Sequence, residues 1–180
     1  MTRPDIVPTL FTNRLCLRGH RLDDFPDSAA MWADPEVVAY ISGKPSSEEQ
    51  SWSRILRYTG HWHHTGFGYW VVVARDDGIF LGEVGFADYR RETTPSLAGK
   101  PEAGWVFSKA AHGHGYATEA VGAMLRWADS HLKHPKTAAI FDPAHTSSIN
   151  VARKTGFSGE SIGRYGARET LFMERNRQPR

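Results

Sequence analysis

Residues 102–118 read EAGWVFSKAAHGHGYAT. A strand-like run, Glu102 to Phe107, ends there, and Gly113 and Gly115 then alternate with His112 and His114. Behind them Ala117, Ala120, Val121, Met124, Leu125, Ala128 and Leu132 recur on one face, which predicts a helix over 117–132. A strand, a glycine turn and a helix start, in that order, aim several free backbone N–H groups at one point. Without Cβ atoms at Gly113 and Gly115 an oxygen-rich ligand approaches the main chain closely. The helix dipole favours negative charge there, so a phosphate or pyrophosphate is the natural ligand. The glycine pair alone also fits a plain turn before a packed helix. It departs from the dinucleotide fingerprint at Thr118, where Gly or Ala is wanted, and no Gly-Lys-Ser/Thr completes a P-loop.

Outward from this segment the pattern is mixed α/β. Leu15 and Leu17 alternate with Arg14, Cys16 and Arg18, a first strand. Asp23 to Trp32 reads as a short helix opened by acids. Ser46 with Glu49 three residues later reads as a capping box, and Trp52, Ile55, Leu56, Thr59 and Trp62 follow at helical spacing up to Gly66. Tyr69 to Ala74 and Phe80 to Ala87 flank the turn Asp76-Asp77-Gly78 as a hairpin. Residues 90–101 read as loop. Lys136 to Phe141 is a strand, Thr146 to Thr155 a helix closed by Gly156, and Phe157 to Ile162 and Thr170 to Met173 the closing strands. This order gives one mixed sheet with helices on both faces.

Composition sets the outer bounds. At 180 residues, 40% hydrophobic, the chain is one domain over residues 1–180 with enough apolar surface for a core. A net charge of +2 is little support for a polyanion stripe, so no nucleic-acid partner is expected. A single Cys, Cys16, excludes an intramolecular disulfide framework and a Cys-based zinc cluster. The longest apolar run, Tyr69 to Ala74, is too short for a bilayer, and MTRPDIVPTLFTNR carries no apolar signal core. The expectation is a cytoplasmic protein with no membrane partner.

Four blocks in order carry a resemblance: TNRLCLRGHRLDDF…WADPEVVAYI, GFGYWVVVARDDGIFLGEVGF, HGHGYATEAV (residues 112–121) and DPAHTSSINVARKTGF (residues 142–157). Over about residues 9–175 the chain resembles the GNAT superfamily of acyl-CoA-dependent N-acetyltransferases, in the branch that acetylates ribosomal-protein N-termini. The resemblance implies a GNAT fold, a single central mixed and splayed sheet with acetyl-CoA wedged between the strands at 102–108 and 136–141. It implies a cofactor-binding set of Val106, Phe107, His112, Gly113, His114, Gly115, Tyr116, Ala117, Thr118 and His145. A backbone N–H near Val106 polarises the thioester carbonyl in this reading. Ser148 is implied as proton donor to the departing thiolate, against the alternative of a helix-start hydroxyl with local bonds only. Glu102 is implied as an acid or water-holding residue, against a solvated strand-end charge, and Glu83 is a weaker candidate. His112 stands where the family has Gln or Arg, and His145 where Asn is frequent.

The expected reaction moves acetyl from acetyl-CoA to a primary amine, with no metal. The amine is a protein N-terminus or a small molecule such as an antibiotic or polyamine. A binding module that senses acyl-CoA without turnover is the alternative from another class, and relatives are often homodimers. Residues 21–50 hold seven acids against Arg21 and Lys44, a net −5, which fits either a border attracting cationic amines or ordinary solvated helix faces. His61, His63 and His64 do not share a helix face, so no metal site is read there. Cys16 reads as a small strand residue, Trp52 and Trp62 as helix core, and Trp32, Tyr40 and Trp70 as core residues or parts of an acceptor pocket.

Overall fold

The computed structural model describes residues 6–179. In chain order the strands are β1 (Leu10–Phe11), β2 (Leu15–Arg18), β3 (Tyr69–Ala74), β4 (Phe80–Ala87), β5 (Thr93–Thr94), β6 (Glu102–Phe107), β7 (Lys136–Phe141), β8 (Ser158–Tyr165) and β9 (Arg168–Asn176). The helices are α1 (Phe25–Ala33), α2 (Pro35–Val38), α3 (Glu48–Thr65), α4 (Tyr116–His131) and α5 (Thr146–Lys154). The nine strands form one sheet in the order β1-β2-β3-β4-β6-β7-β9-β8-β5. Every neighbouring pair is antiparallel except β6 and β7.

That exception positions the site. β6 and β7 run parallel and are paired only at Glu102 and Ala138. Past this vertex they part, so the second half of each strand lines a wedge open toward its C-terminal end. On its other edge β6 is paired along its length: β4 meets it from Gly82↔Phe107 to Ala87↔Glu102.

Side-chain alternation along these strands divides the core between the two faces. On one face α4 packs Val121, Met124 and Leu125 against Leu15, Trp70, Val84, Phe86 and Phe107, and Trp62 of α3 reaches the same cluster. On the other, Met31 and Trp32 of α1 and Val37 and Val38 of α2 pack on Val106. Tyr58 of α3 and Tyr69 join Ala87 on that second face.

Several elements differ from the sequence expectations. The capping box of α3 lies one residue later, at Ser47 and Gln50. Ser46 is occupied otherwise: its N–H donates to the Trp32 carbonyl at 2.9 Å, and its Oγ accepts from Arg54 at 3.2 Å. The buried stripe of α3 is Ser51, Ile55, Tyr58 and Trp62, which leaves Trp52 and Leu56 exposed. Trp52 instead meets Phe25 edge-on, with ring centroids 5.2 Å apart. A 3-10 turn, Leu22–Asp24, precedes α1. β1 and β5 are two-residue strands that the sequence does not announce, and β8 and β9 run longer than expected.

Candidate active site

The loop between β6 and α4 is built by backbone conformation. Gly113 and Gly115 have φ of +81° and +77°, where any residue with a Cβ is strained. A Cβ at Gly113 would meet nothing within 4 Å, and one at Gly115 only Arg14 Nη2 at 3.6 Å. The space in front of the loop is therefore open. The first-turn N–H groups of Tyr116, Ala117 and Thr118 have no helical carbonyl behind them and are donors available to an anion. Of the residues named from sequence, His112 to Thr118 run from this loop into the first turn of α4. His112 is turned back onto β6, where its Nε2–H donates to the Phe107 carbonyl at 3.0 Å.

Glu119, also in the first turn of α4, would repel a phosphate if it faced the loop. It is drawn away. Its Oε1 accepts from Thr12 Oγ1 at 2.6 Å and from the Arg14 N–H at 3.0 Å, and its Oε2 accepts from Arg14 Nε at 2.7 Å. Burial works to raise this carboxyl, but the bonds from Thr12 and Arg14 outweigh it and hold it below the ordinary glutamate range. Arg14 Nη1 also donates to the His114 carbonyl at 2.9 Å, and the guanidinium lies over the Tyr116 ring. The turn between β1 and β2 is thus a clamp on the glycine loop. Sequence reading missed it, because partners 105 residues apart leave no local signal.

Across the wedge, β7 leads into α5. Ser148 is half-buried in the first turn of that helix, and Ser147 is exposed. Ser148 Oγ lies 3.2 Å from His145 Nε2. The His145 ring stacks on Tyr40, with centroids 5.1 Å apart at 21°. Burial pushes the imidazole below its ordinary value, Asp142 opposes this, and His112 adds to it. Tyr40 therefore belongs to the wedge mouth and not to the core.

The edge of β6 toward the wedge follows from its register. Ser108 N–H donates to the Leu81 carbonyl at 2.9 Å, so Ser108 and Leu81 form a hydrogen-bonded pair. Bonded and non-bonded pairs alternate along an antiparallel ladder, which turns the N–H of Val106 toward Glu83 on β4. Trp105 and Phe107 turn theirs toward the wedge. The donor expected near Val106 is thus displaced by one residue, to either side of it.

Two carboxylates lie on the α1–α3 side of the sheet, and both are engaged by side chains. Glu102 is buried at the vertex, where Arg91 Nε donates to Oε1 at 3.1 Å and to Oε2 at 2.8 Å. It is not the solvated strand-end charge considered from sequence. Glu83 is fully buried, with Ser28 Oγ at 2.6 Å, Trp32 Nε1 at 3.0 Å, Tyr58 OH at 3.2 Å and His20 Nε2 at 3.2 Å. Burial alone would raise its value, but the bonds from His20, Ser28 and Trp32 hold it low. Between them Tyr69 crosses the sheet, its hydroxyl 2.0 Å from where a Cβ of Gly104 would stand. Gly104 lacks a side chain because this phenol fills the space. Trp32 and Trp70 are both buried, and Trp70 Nε1–H donates to the Pro8 carbonyl.

Local bonds account for much of the acidic stretch 21–50. Asp24 pairs with Arg18, Asp34 caps α2, and Glu36 pairs with Lys109. Cys16 is partly exposed on β2 opposite Val73.

A mixed sheet split between two parallel strands, with a glycine-led helix at the mouth of the split, is the architecture of an acyl-CoA-dependent acetyltransferase. The acetyltransferase (GNAT) domain model matches residues 14–158, and the chain belongs to that family. It is similar to the uncharacterized protein YkkB of Bacillus subtilis strain 168, 30% identical over 127 residues and covering 70% of each chain. An acetyltransferase of Agrobacterium tumefaciens strain C58 has a similar structure, with TM-score 0.78 and 26% identity over 93% of each chain. RimL, a ribosomal L7/L12 alpha-N-protein acetyltransferase solved in complex with coenzyme A, shares the fold. Its TM-score is 0.74 at 10% identity, covering 94% of this chain and 98% of that one. The protein is an acetyl-CoA-dependent N-acetyltransferase.

Proposed function

We propose that the enzyme acetylates the α-amine of a protein or peptide N-terminus. The observation that carries this reading is the state of the two carboxylates on the α1–α3 side. Glu102 has both oxygens on Arg91, and Glu83 is closed off by four side chains. Both carboxylates are engaged by neighbouring side chains. An α-amine with pKa about 7.7–8.0 is roughly a tenth neutral at pH 7, whereas a lysine at about 10.4 is less than a thousandth neutral. A site without a committed base suits the first and not the second. RimL in its apo crystal form, which shares the fold at 13% identity and is named as an alpha-N-protein acetyltransferase, is consistent with this reading.

The residues divide the work as follows. The N–H groups at 113–118 hold the pyrophosphate, and a Cβ-free approach at Gly113 and Gly115 fits that group. Acetyl-CoA supplies an acyl group already activated as a thioester. The wedge-facing N–H groups of Trp105 and Phe107 are the donors placed to take up charge on the carbonyl oxygen. Ser148 Oγ–H stands on the opposite wall as the proton source for sulfur. Glu102 positions the vertex through Arg91 and is not the base.

Thiol release from acetyl-CoA, measured across N-terminal peptides, α-blocked lysine peptides, polyamines and aminoglycosides, tests the reading. Turnover is expected with free N-termini. Turnover confined to polyamines or aminoglycosides would replace the acceptor class, and tight acetyl-CoA binding with no turnover on any amine would replace transfer with sensing.

A further inference from the structure

A serine hydroxyl is a far weaker acid than a thiol of pKa about 8.5. Ser148 that simply gave its proton to sulfur would be left as an alkoxide. The step needs a second proton arriving on Oγ as the first departs, and the structure places one polar side-chain atom at that oxygen: His145 Nε2, at 3.2 Å. The ring is held for the purpose. Tyr40 stacks on its face from the segment after α2, and the first turn of α5 fixes its spacing to Ser148.

We propose that His145 is the positioning residue of thiolate protonation, donating Nε2–H to Ser148 Oγ so that the Ser148 hydrogen is aimed at the departing sulfur. This rests on the reading of Ser148 given above. The C–S bond breaks and its electron pair goes to sulfur. The Ser148 hydrogen moves to sulfur, the Nε2 proton moves to Oγ, and an imidazolium becomes a neutral imidazole. The proton released by the acetylated nitrogen balances the one taken up by sulfur, and the half-buried ring is recharged from solvent. The downhill direction agrees with the burial that lowers His145 below the ordinary histidine value. The groups acting on the ring are Asp142 from the β7–α5 turn, which opposes that lowering, His112 from the glycine loop, which adds to it, and the Tyr40 ring. Once the Nε2 proton has gone, the neutral ring keeps its hydrogen on Nδ1, Nε2 accepts from Ser148, and the hydroxyl is turned from sulfur until the ring is recharged.

Two measurements test this. In protein with 15N-labelled histidine and no ligand, raising the pH is expected to take the proton from His145 Nε2 and leave Nδ1 protonated, and Ser148→Ala is expected to shift the Nε2 resonance. A ring that loses its Nδ1 proton and keeps Nε2 protonated overturns the proposal. In kinetics, His145→Phe keeps a ring for Tyr40 and removes the donor. Its kcat at saturating acetyl-CoA is expected about tenfold below wild type at pH 6, the gap closing to about twofold by pH 9. His145→Asn, whose amide can hydrogen-bond to Ser148 but cannot give up a proton, serves as the second variant should Phe disturb folding. A gap that does not change with pH, or wild-type kcat in both variants, overturns the proposal. If those variants retain wild-type kcat while Ser148→Ala is slow, only the role of His145 falls. Wild-type kcat in Ser148→Ala removes the serine reading and this one with it.

Discussion

Ser148 and Glu102 were nominated by the same kind of reasoning, and their surroundings separate them. Ser148 is half-buried in the first turn of α5, with His145 Nε2 3.2 Å from its hydroxyl oxygen. Replacing it with Ala is expected to lower kcat by about 10²-fold, with acetyl-CoA binding nearly unchanged. A purely structural hydroxyl gives the opposite pattern, a stability loss of about 1 kcal/mol with normal turnover, and steady-state kinetics beside a melting curve separates the two. Glu102 is different. Both its oxygens are engaged by Arg91, which in turn donates to Tyr165 OH at 3.0 Å and lies over the Tyr89 and Tyr165 rings. Glu102→Gln leaves that guanidinium short of its counter-charge. The expected result is a loss of about 1.5–3 kcal/mol in denaturant unfolding, with kcat on a true acceptor within a few-fold of wild type. A stable variant with turnover abolished would restore Glu102 as the base.

The elements that read most clearly are the ones with strong local pattern. Tyr69–Ala74, Phe80–Ala87, Glu102–Phe107 and Lys136–Phe141 are strands with the bounds that their apolar runs and turn residues give. The glycine loop and α4 were legible for the same reason: a change of period from two to 3.6 at a pair of glycines. Misreadings arose where two local solutions compete. Ser46 with Glu49 and Ser47 with Gln50 both fit a capping box, and the tertiary bonds of Ser46 to Trp32 and Arg54 select the second. On α3 the apolar-looking stripe included Trp52 and Leu56, whereas the helix buries the small Ser51 and the phenol of Tyr58, which hydrogen-bonds to Glu83. The clamp of Thr12 and Arg14 on Glu119, and the Arg91–Glu102 pair, come from chain folding alone and have no spacing to betray them. The loop itself yields a prediction. A Cβ at Gly113 meets no protein atom, so Gly113→Ala disturbs only backbone conformation and whatever binds in front of the loop. Calorimetry is expected to show CoA binding weakened tenfold or more, at least about 1.4 kcal/mol, in a variant that remains folded. Unchanged affinity would move the pyrophosphate elsewhere.

Over the whole molecule, buried or half-buried carboxylates tie distant parts of the chain to the sheet. Asp24 binds Arg18, Glu119 binds Arg14, Asp129 binds Arg175, and Glu83 joins His20, α1 and α3. For all four, burial works to raise the value and the bonded donors overcome it, so the folded-state values lie below the ordinary ones. A depressed carboxyl contributes its full stability above the unfolded value, about 3.9 for Asp and 4.3 for Glu, and loses it as pH falls through the folded value. Thermal melts are therefore expected to be nearly flat in this contribution above about pH 5 and to fall steeply below about pH 4. Glu83→Gln is expected to cost about 3 kcal/mol at neutral pH and to make the acid limb shallower. An acid limb of unchanged steepness in that variant would mean that Glu83 is not ionised in the folded state.

The same engaged carboxylates bear on the acceptor, because the proposed reading takes neither Glu83 nor Glu102 as a base. One peptide library tests this most directly: randomised first residues, a free α-amine and a single internal lysine in every member, incubated with enzyme and acetyl-CoA at pH 7. Tandem mass spectrometry then locates the acetyl group. The account predicts acetylation on the α-nitrogen with equivalent release of CoA thiol. Acetyl on the lysine Nζ, with the α-amine left free, would contradict it.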